Sequence, residues 1–209
     1  GLTFQSILDA EDGTFPSGIS SYADQVAFKK AAGAKVIKHW LTLEATTKVT
    51  IGTAAPQNLG IQVYTYFGVE EDDGPYHQAI KNSDVFIYNG HSYIGYGPLD
   101  PSNFSASDFP SSYQMMFIDG CVSYNYYDKD YFPLKAGGTK NLEVISNGIE
   151  APSYHSGLAL GLFVAALVDG KQHSYRDLLV AAQETDPLRV VDGEVDNAYS
   201  PTKFPIKFQ

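Results

Sequence analysis

Asp84-Val85-Phe86-Ile87-Tyr88-Asn89-Gly90-His91-Ser92 and Met115-Met116-Phe117-Ile118-Asp119-Gly120-Cys121-Val122-Ser123 are the two stretches on which the reading of this chain turns. Each opens on a short apolar run and stops at turn-forming residues, the pattern of a brief strand. Polar positions are scarce inside both runs, as expected of parallel strands buried on both faces. A loop rich in Gly, Pro and Ser separates them. The first run delivers His91 and the second delivers Cys121, the single cysteine of the chain.

In open parallel sheets, sites form beyond the carboxyl ends of the strands. If the two strands are neighbours, roughly 4.8 Å apart, His91 and Cys121 reach the same rim. A thiolate is a nucleophile, and an adjacent imidazole can generate or stabilise it. Gly90 and Gly120 suit the sharp turns that would expose these side chains. Backbone N–H groups at such turns can face a developing oxyanion.

Outward from this centre, Val36–Leu43, Thr46–Ile51 and Ile61–Phe67 read as strand material. Tyr76–Asn82 reads as a short helix and Leu142–Ser146 as a further strand. Gly157–Val168 is a nearly all-apolar helix stopped by Gly170, and Ser174 caps another helix over Tyr175–Gln183. Near the start, Ser20 or Ser21 caps a helix carrying Tyr22, Val26 and Phe28 that Gly33 would end. The tail from Asp186 has no clear period, with an edge strand expected at Phe204–Phe208. Strands alternating with helices predict an α/β fold, a mostly parallel sheet flanked by helices on both faces.

The length of 209 residues fits one sizeable domain, with 44% apolar residues to build its core. Residues 1–209 are read as a single domain: 1–60 as an extension, 61–183 as the core and 184–209 as a tail. A formal charge of -10 argues against nucleic acid and anionic membranes and is compatible with a basic peptide. One cysteine rules out an internal disulfide framework and a cysteine-based zinc site. No segment has the length of a membrane span. The chain opens on Gly1, which reads as a cloning remnant or a processing product, and no stretch reads as a signal peptide. With 15 Tyr, 19 Gly and only 14 basic residues, the composition leans towards an exported bacterial protein.

The order apolar strand, Gly-His, loop, apolar strand, Asp-x-Cys-x-Ser resembles the caspase-like cysteine peptidases, most nearly the clostripain, gingipain and metacaspase kinds. The likeness covers roughly Ile61 to Gln183. It implies a caspase/haemoglobinase α/β fold and a cysteine endopeptidase that uses no cofactor. Cys121 would be the nucleophile and His91 the general acid/base, with an oxyanion hole from the N–H groups of Cys121 and Ser92. Asp119, two residues before the cysteine, would bind a basic substrate side chain by charge-assisted hydrogen bonds and direct cleavage after Arg or Lys. The family has Gly where this chain has Ser92, and a positive φ there would strain a serine.

Other readings stand beside these. A lone cysteine is commonly a small buried hydrophobe, and Asp119 can cap a turn or pair with a cation. The remaining histidines (His39, His77, His155, His173) lie in no zinc-ligand spacing. Glu70-Glu71-Asp72-Asp73-Gly74 lacks the ligand alternation of an EF-hand loop and reads as a solvated turn. Tyr124, Tyr126, Tyr127 and Tyr131 follow the cysteine and are expected to shape a cleft wall. A non-catalytic binding module of the same fold is the alternative function.

Overall fold

A computed structural model of the chain describes residues 13–36, 39–50, 55–67, 73–127, 129–151, 153–182 and 188–193. In chain order its main elements are α1 (Tyr22–Val36), β1 (His39–Val49), β2 (Gln57–Phe67), α2 (Gly74–Asn82), β3 (Val85–Asn89) and β4 (Gln114–Asp119). They are followed by α3 (Tyr124–Tyr127), β5 (Leu142–Asn147), α4 (Ser153–Leu167), α5 (Tyr175–Ala181) and β6 (Arg189–Asp192).

Contacts group the chain into two compact units, where the sequence reads as one domain: Gly1–Ala45 with Gly60–Asp72, and Thr46–Leu59 with Asp73–Gln209. In the first unit the Ser21 hydroxyl caps α1 by accepting from the Asp24 N–H at 3.1 Å. This helix continues past Gly33 to Val36, because one interior glycine costs only about 1 kcal/mol. Strands β1 and β2 form a separate two-stranded sheet. Where the sequence suggested two strands, Val36–Leu43 and Thr46–Ile51, residues His39–Val49 form one continuous strand, β1, while Val36 ends α1 and positions 37, 38 and 51 lie outside the described residues.

The second unit holds a four-stranded sheet in the order β3-β4-β5-β6. Strands β3, β4 and β5 are parallel, with Tyr88 beside Ile118 and Ile118 beside Ser146. Strand β6 runs antiparallel along β5 at the edge. The mostly parallel α/β architecture expected from the apolar runs is therefore present.

Period-two alternation assigns the core residues to two faces. Phe86, Tyr88, Met116, Ile118, Leu142 and Val144 pack on one side with Ile80 of α2 and with Tyr127 and Tyr131. Met115, Phe117 and Ile145 pack on the other with Phe163 of α4 and Leu178 of α5. Helices thus cover both faces, which is why β4 is buried along its whole length.

Polar side chains fix the ends. Gln114, fully buried, donates from Nε2 to the carbonyls of Ile80 (2.7 Å) and Ser83 (2.9 Å), tying the end of α2 to the start of β4. Ser174 and Asp177 form a capping box on α5, as the serine's position predicts. Arg189 of β6 lies 5.3 Å from the Phe117 ring centroid and donates to the Ala182 carbonyl at 3.1 Å. No helix among the described residues is long and apolar enough to cross a membrane. The expected strand at Phe204–Phe208 lies outside the described residues.

Candidate active site

The β3–β4 register pairs Asn89 with Asp119, so the chain leaves both strands at the same level. The Gly90 N–H continues the ladder by donating to the Asp119 carbonyl at 3.3 Å. Two residues further along each strand come His91 and Cys121, both exposed and both lining one cleft of about 510 Å³. Ser92, Tyr93, Ile94, Val122, Tyr126 and Glu150 complete its wall. The strand order thus brings together the two side chains that the sequence singled out.

Four hydrogen bonds hold the two loops. Tyr88 donates its hydroxyl to the His91 carbonyl at 2.9 Å, and Tyr127 donates to the Ser92 carbonyl at 2.7 Å. The Ser92 hydroxyl donates to the Cys121 carbonyl at 2.6 Å, a direct tie between the histidine loop and the cysteine loop. The Val122 N–H donates to the Ile149 carbonyl at 3.0 Å. Gly120 is required by close approach and not by a left-handed φ: a Cβ there would sit 2.5 Å from Ser92 Oγ and 3.1 Å from the Gly90 carbonyl oxygen. Gly90 is likewise constrained by the Tyr88 hydroxyl, 2.6 Å from an added Cβ.

Ser92 has φ -81 and ψ -14, ordinary right-handed backbone, so the strain that a positive φ would bring to a serine after His91 is absent. The strain lies next door. Tyr93 (φ 49), Ile94 (φ 56) and Val122 (φ 52) are the non-glycine residues with positive φ among those described, and all three line the cleft. Each left-handed residue costs on the order of 1–2 kcal/mol, more for a β-branched side chain such as Val122. Strain of this kind persists where surrounding bonds over-determine the backbone, and it concentrates at functional sites.

No hydrogen bond joins the His91 ring to the Cys121 thiol; Cys121 Sγ donates instead to the Ala151 carbonyl at 3.6 Å. The His91 ring stands edge-to-face with Tyr93 at 5.7 Å between centroids. Neither the Ser92 N–H nor the Cys121 N–H has an acceptor among the described residues. They are the two donors expected of an oxyanion hole, whereas the Gly90 N–H is committed to the sheet.

Asp119 is placed differently. It is 2% exposed, does not line the cleft, and accepts from Asn147 Nδ2 at 2.6 Å. Its other carboxylate oxygen and the Asn147 amide oxygen have no hydrogen-bond partner among the described residues. Of the tyrosines after the cysteine, Tyr126 lines the cleft, whereas Tyr127 and Tyr131 belong to the core. Burial pushes the Tyr127 hydroxyl up to about 12, keeping it a neutral donor to Ser92. Ser123 is buried and donates to the Ile118 carbonyl while accepting from the Asn147 N–H, stitching β4 to β5. No group of three His, Cys, Asp or Glu residues placed to hold a metal ion occurs among the described residues.

Tyr93, Ile94 and Glu150 are lining residues that the sequence reading missed, and Glu150 is the charged one. The signal was available: it follows the third parallel strand by three residues, as His91 and Cys121 follow theirs by two. Comparisons with family models, with curated proteins and with solved structures return no match for this chain.

Proposed function

We propose that the chain is a cysteine endopeptidase of the caspase-like kind that cleaves peptides beside a basic side chain. The observation that carries this reading is the shared cleft. His91 and Cys121 leave adjacent parallel strands at the same level and face one cavity, with two unoccupied N–H donors beside them. In the proposed reaction the Cys121 thiolate adds to the scissile carbonyl carbon, and the oxygen that gains charge accepts from the Ser92 and Cys121 N–H groups. His91, protonated at the thiol's expense, gives its proton to the leaving amine as the carbon–nitrogen bond breaks. Water deprotonated by His91 then adds to the thioester, and the acid departs as the thiol regains its proton. That no hydrogen bond yet joins ring and thiol is no obstacle, since catalytic hydrogen bonds are often loose before substrate arrives.

By resemblance Asp119 would receive the basic side chain, which would have to reach a carboxylate that is 2% exposed, with Oδ1 held by Asn147 and Oδ2 left to accept. A binding module that uses the cleft without chemistry is the second reading, favoured by the thiol's bond to Ala151 in place of His91. Hydrolysis of fluorogenic peptides with Arg, Lys, Asp or Asn before the scissile bond separates the two. Cleavage after Arg or Lys that disappears in Cys121→Ala is the expected result. No cleavage, with the thiol alkylating at the rate of free cysteine and no slower in His91→Ala, would transfer the case to the binding module.

A further inference from the structure

Glu150 is held over the nucleophile by its two chain neighbours. The Ile149 carbonyl accepts the Val122 N–H at 3.0 Å, and the Ala151 carbonyl accepts the Cys121 thiol at 3.6 Å. The residue between them is therefore anchored on both sides to the cysteine loop, with its side chain exposed and lining the cleft. Among the described residues it is the one carboxylate in that lining, and no Lys or Arg joins it. The neighbouring wall of Tyr93, Ile94, Val122 and Tyr126 carries no charge. Asp119, the other carboxylate near the cysteine, is 2% exposed with one oxygen already taken by Asn147.

We infer that Glu150 is the specificity residue of this cleft, the carboxylate that selects a cationic group next to the reacting thiol. This assignment deepens the peptidase reading and rests on it for the identity of the substrate, a peptide with Arg or Lys near the scissile bond. An ammonium or guanidinium entering the cleft meets Glu150 without displacing any hydrogen bond among the described residues. To reach Asp119 it would have to enter a position that is only 2% exposed, where Oδ1 is held by Asn147 and Oδ2 alone lacks a partner among the described residues. The electrostatic preference itself does not depend on turnover and can be read on the thiol.

The test compares disulfide formation at Cys121 with a cationic reagent, 2-aminoethyl methanethiosulfonate, and an anionic one, 2-sulfonatoethyl methanethiosulfonate. The ratio of the two rates should fall roughly threefold to tenfold in Glu150→Gln, the range for one charge across a solvent-open cleft. Asp119→Asn should leave the ratio unchanged, and added salt should shrink it in wild type. In parallel, kcat/KM for an Arg peptide should fall by a similar factor in Glu150→Gln while that for a neutral peptide holds. A ratio that does not move in Glu150→Gln, or one that moves only in Asp119→Asn, overturns the assignment. If wild type cleaves no peptide yet the ratio depends on Glu150, the peptidase reading fails and the charge-selecting role stands. If Arg peptides are cleaved equally by wild type and Glu150→Gln, the reverse holds.

Discussion

At Ser92 a single hydroxyl joins the two loops that carry the candidate dyad. Replacing it by alanine leaves the Cys121 carbonyl without that donor and should cost about 0.5–1.5 kcal/mol, the usual net contribution of one hydrogen bond. Urea unfolding measures this cost, and the Cys121 alkylation rate reports whether the loops have drifted apart. Gly120→Ala is the harsher change. Its Cβ would press on Ser92 Oγ, turning that hydroxyl away from the Cys121 carbonyl, and on the Gly90 carbonyl, which must give way slightly. We expect a destabilisation of about 1–3 kcal/mol, the range for forced overpacking, together with at least a tenfold loss of peptide hydrolysis. A Gly120→Ala protein with wild-type stability and hydrolysis would remove close approach as the reason for the glycine.

At the scale of elements, the turn at residues 105–108 shows how a short segment is secured. Asp108 accepts from the Ser105 N–H and hydroxyl, and its other oxygen meets His77 Nδ1 of α2 at 3.0 Å. These bonds hold its carboxyl at about 2, below the ordinary 3.8, with the Ser105 N–H the largest cause. The folded value is the depressed one, so the stabilisation is complete above the ordinary value and is lost as pH falls from about 3.8 through about 2. Asp108→Asn should therefore be less stable than wild type near neutrality and indistinguishable from it below pH about 2, as followed by acid unfolding. Elements with a local signal were legible in the sequence: the apolar runs of β3 and β4, and the Ser174 cap of α5. Strand β6 was not, because Arg189-Val190-Val191-Asp192 is too short to show a period and becomes a strand through its pairing with β5. The burial of Asp119 was half legible. Alternation puts it on the face of Phe117, but its partner Asn147 is identified only once β5 is known to lie beside β4.

For the whole molecule, the sheet's two covered faces set where substitutions hurt. Phe163, fully buried, meets Phe117 edge-on at 5.0 Å between centroids. Phe163→Ala should cost about 3–5 kcal/mol in denaturant unfolding, whereas Leu158→Ala on the same helix, with Leu158 63% exposed, should change stability by less than about 0.5 kcal/mol. Equal effects would mean that α4 packs by another face. The helical covering of the sheet followed from strand–helix alternation, which is a local property. Strands β1 and β2, consecutive in the chain, pair in a sheet of their own, and that they stay out of the four-stranded sheet is something no local pattern encodes.

The left-handed turn residues around the cleft carry a consequence for laboratory evolution. Tyr93, Ile94 and Val122 are positions where glycine or asparagine would relieve backbone strain. A library selected for heat resistance alone should therefore accumulate replacements at these three positions early, and the survivors should react more slowly at Cys121 as the cleft loosens. Selection for thiol reactivity should retain the same residues at the expense of melting temperature. Sequencing both pools would show whether this rim has been kept tense by use.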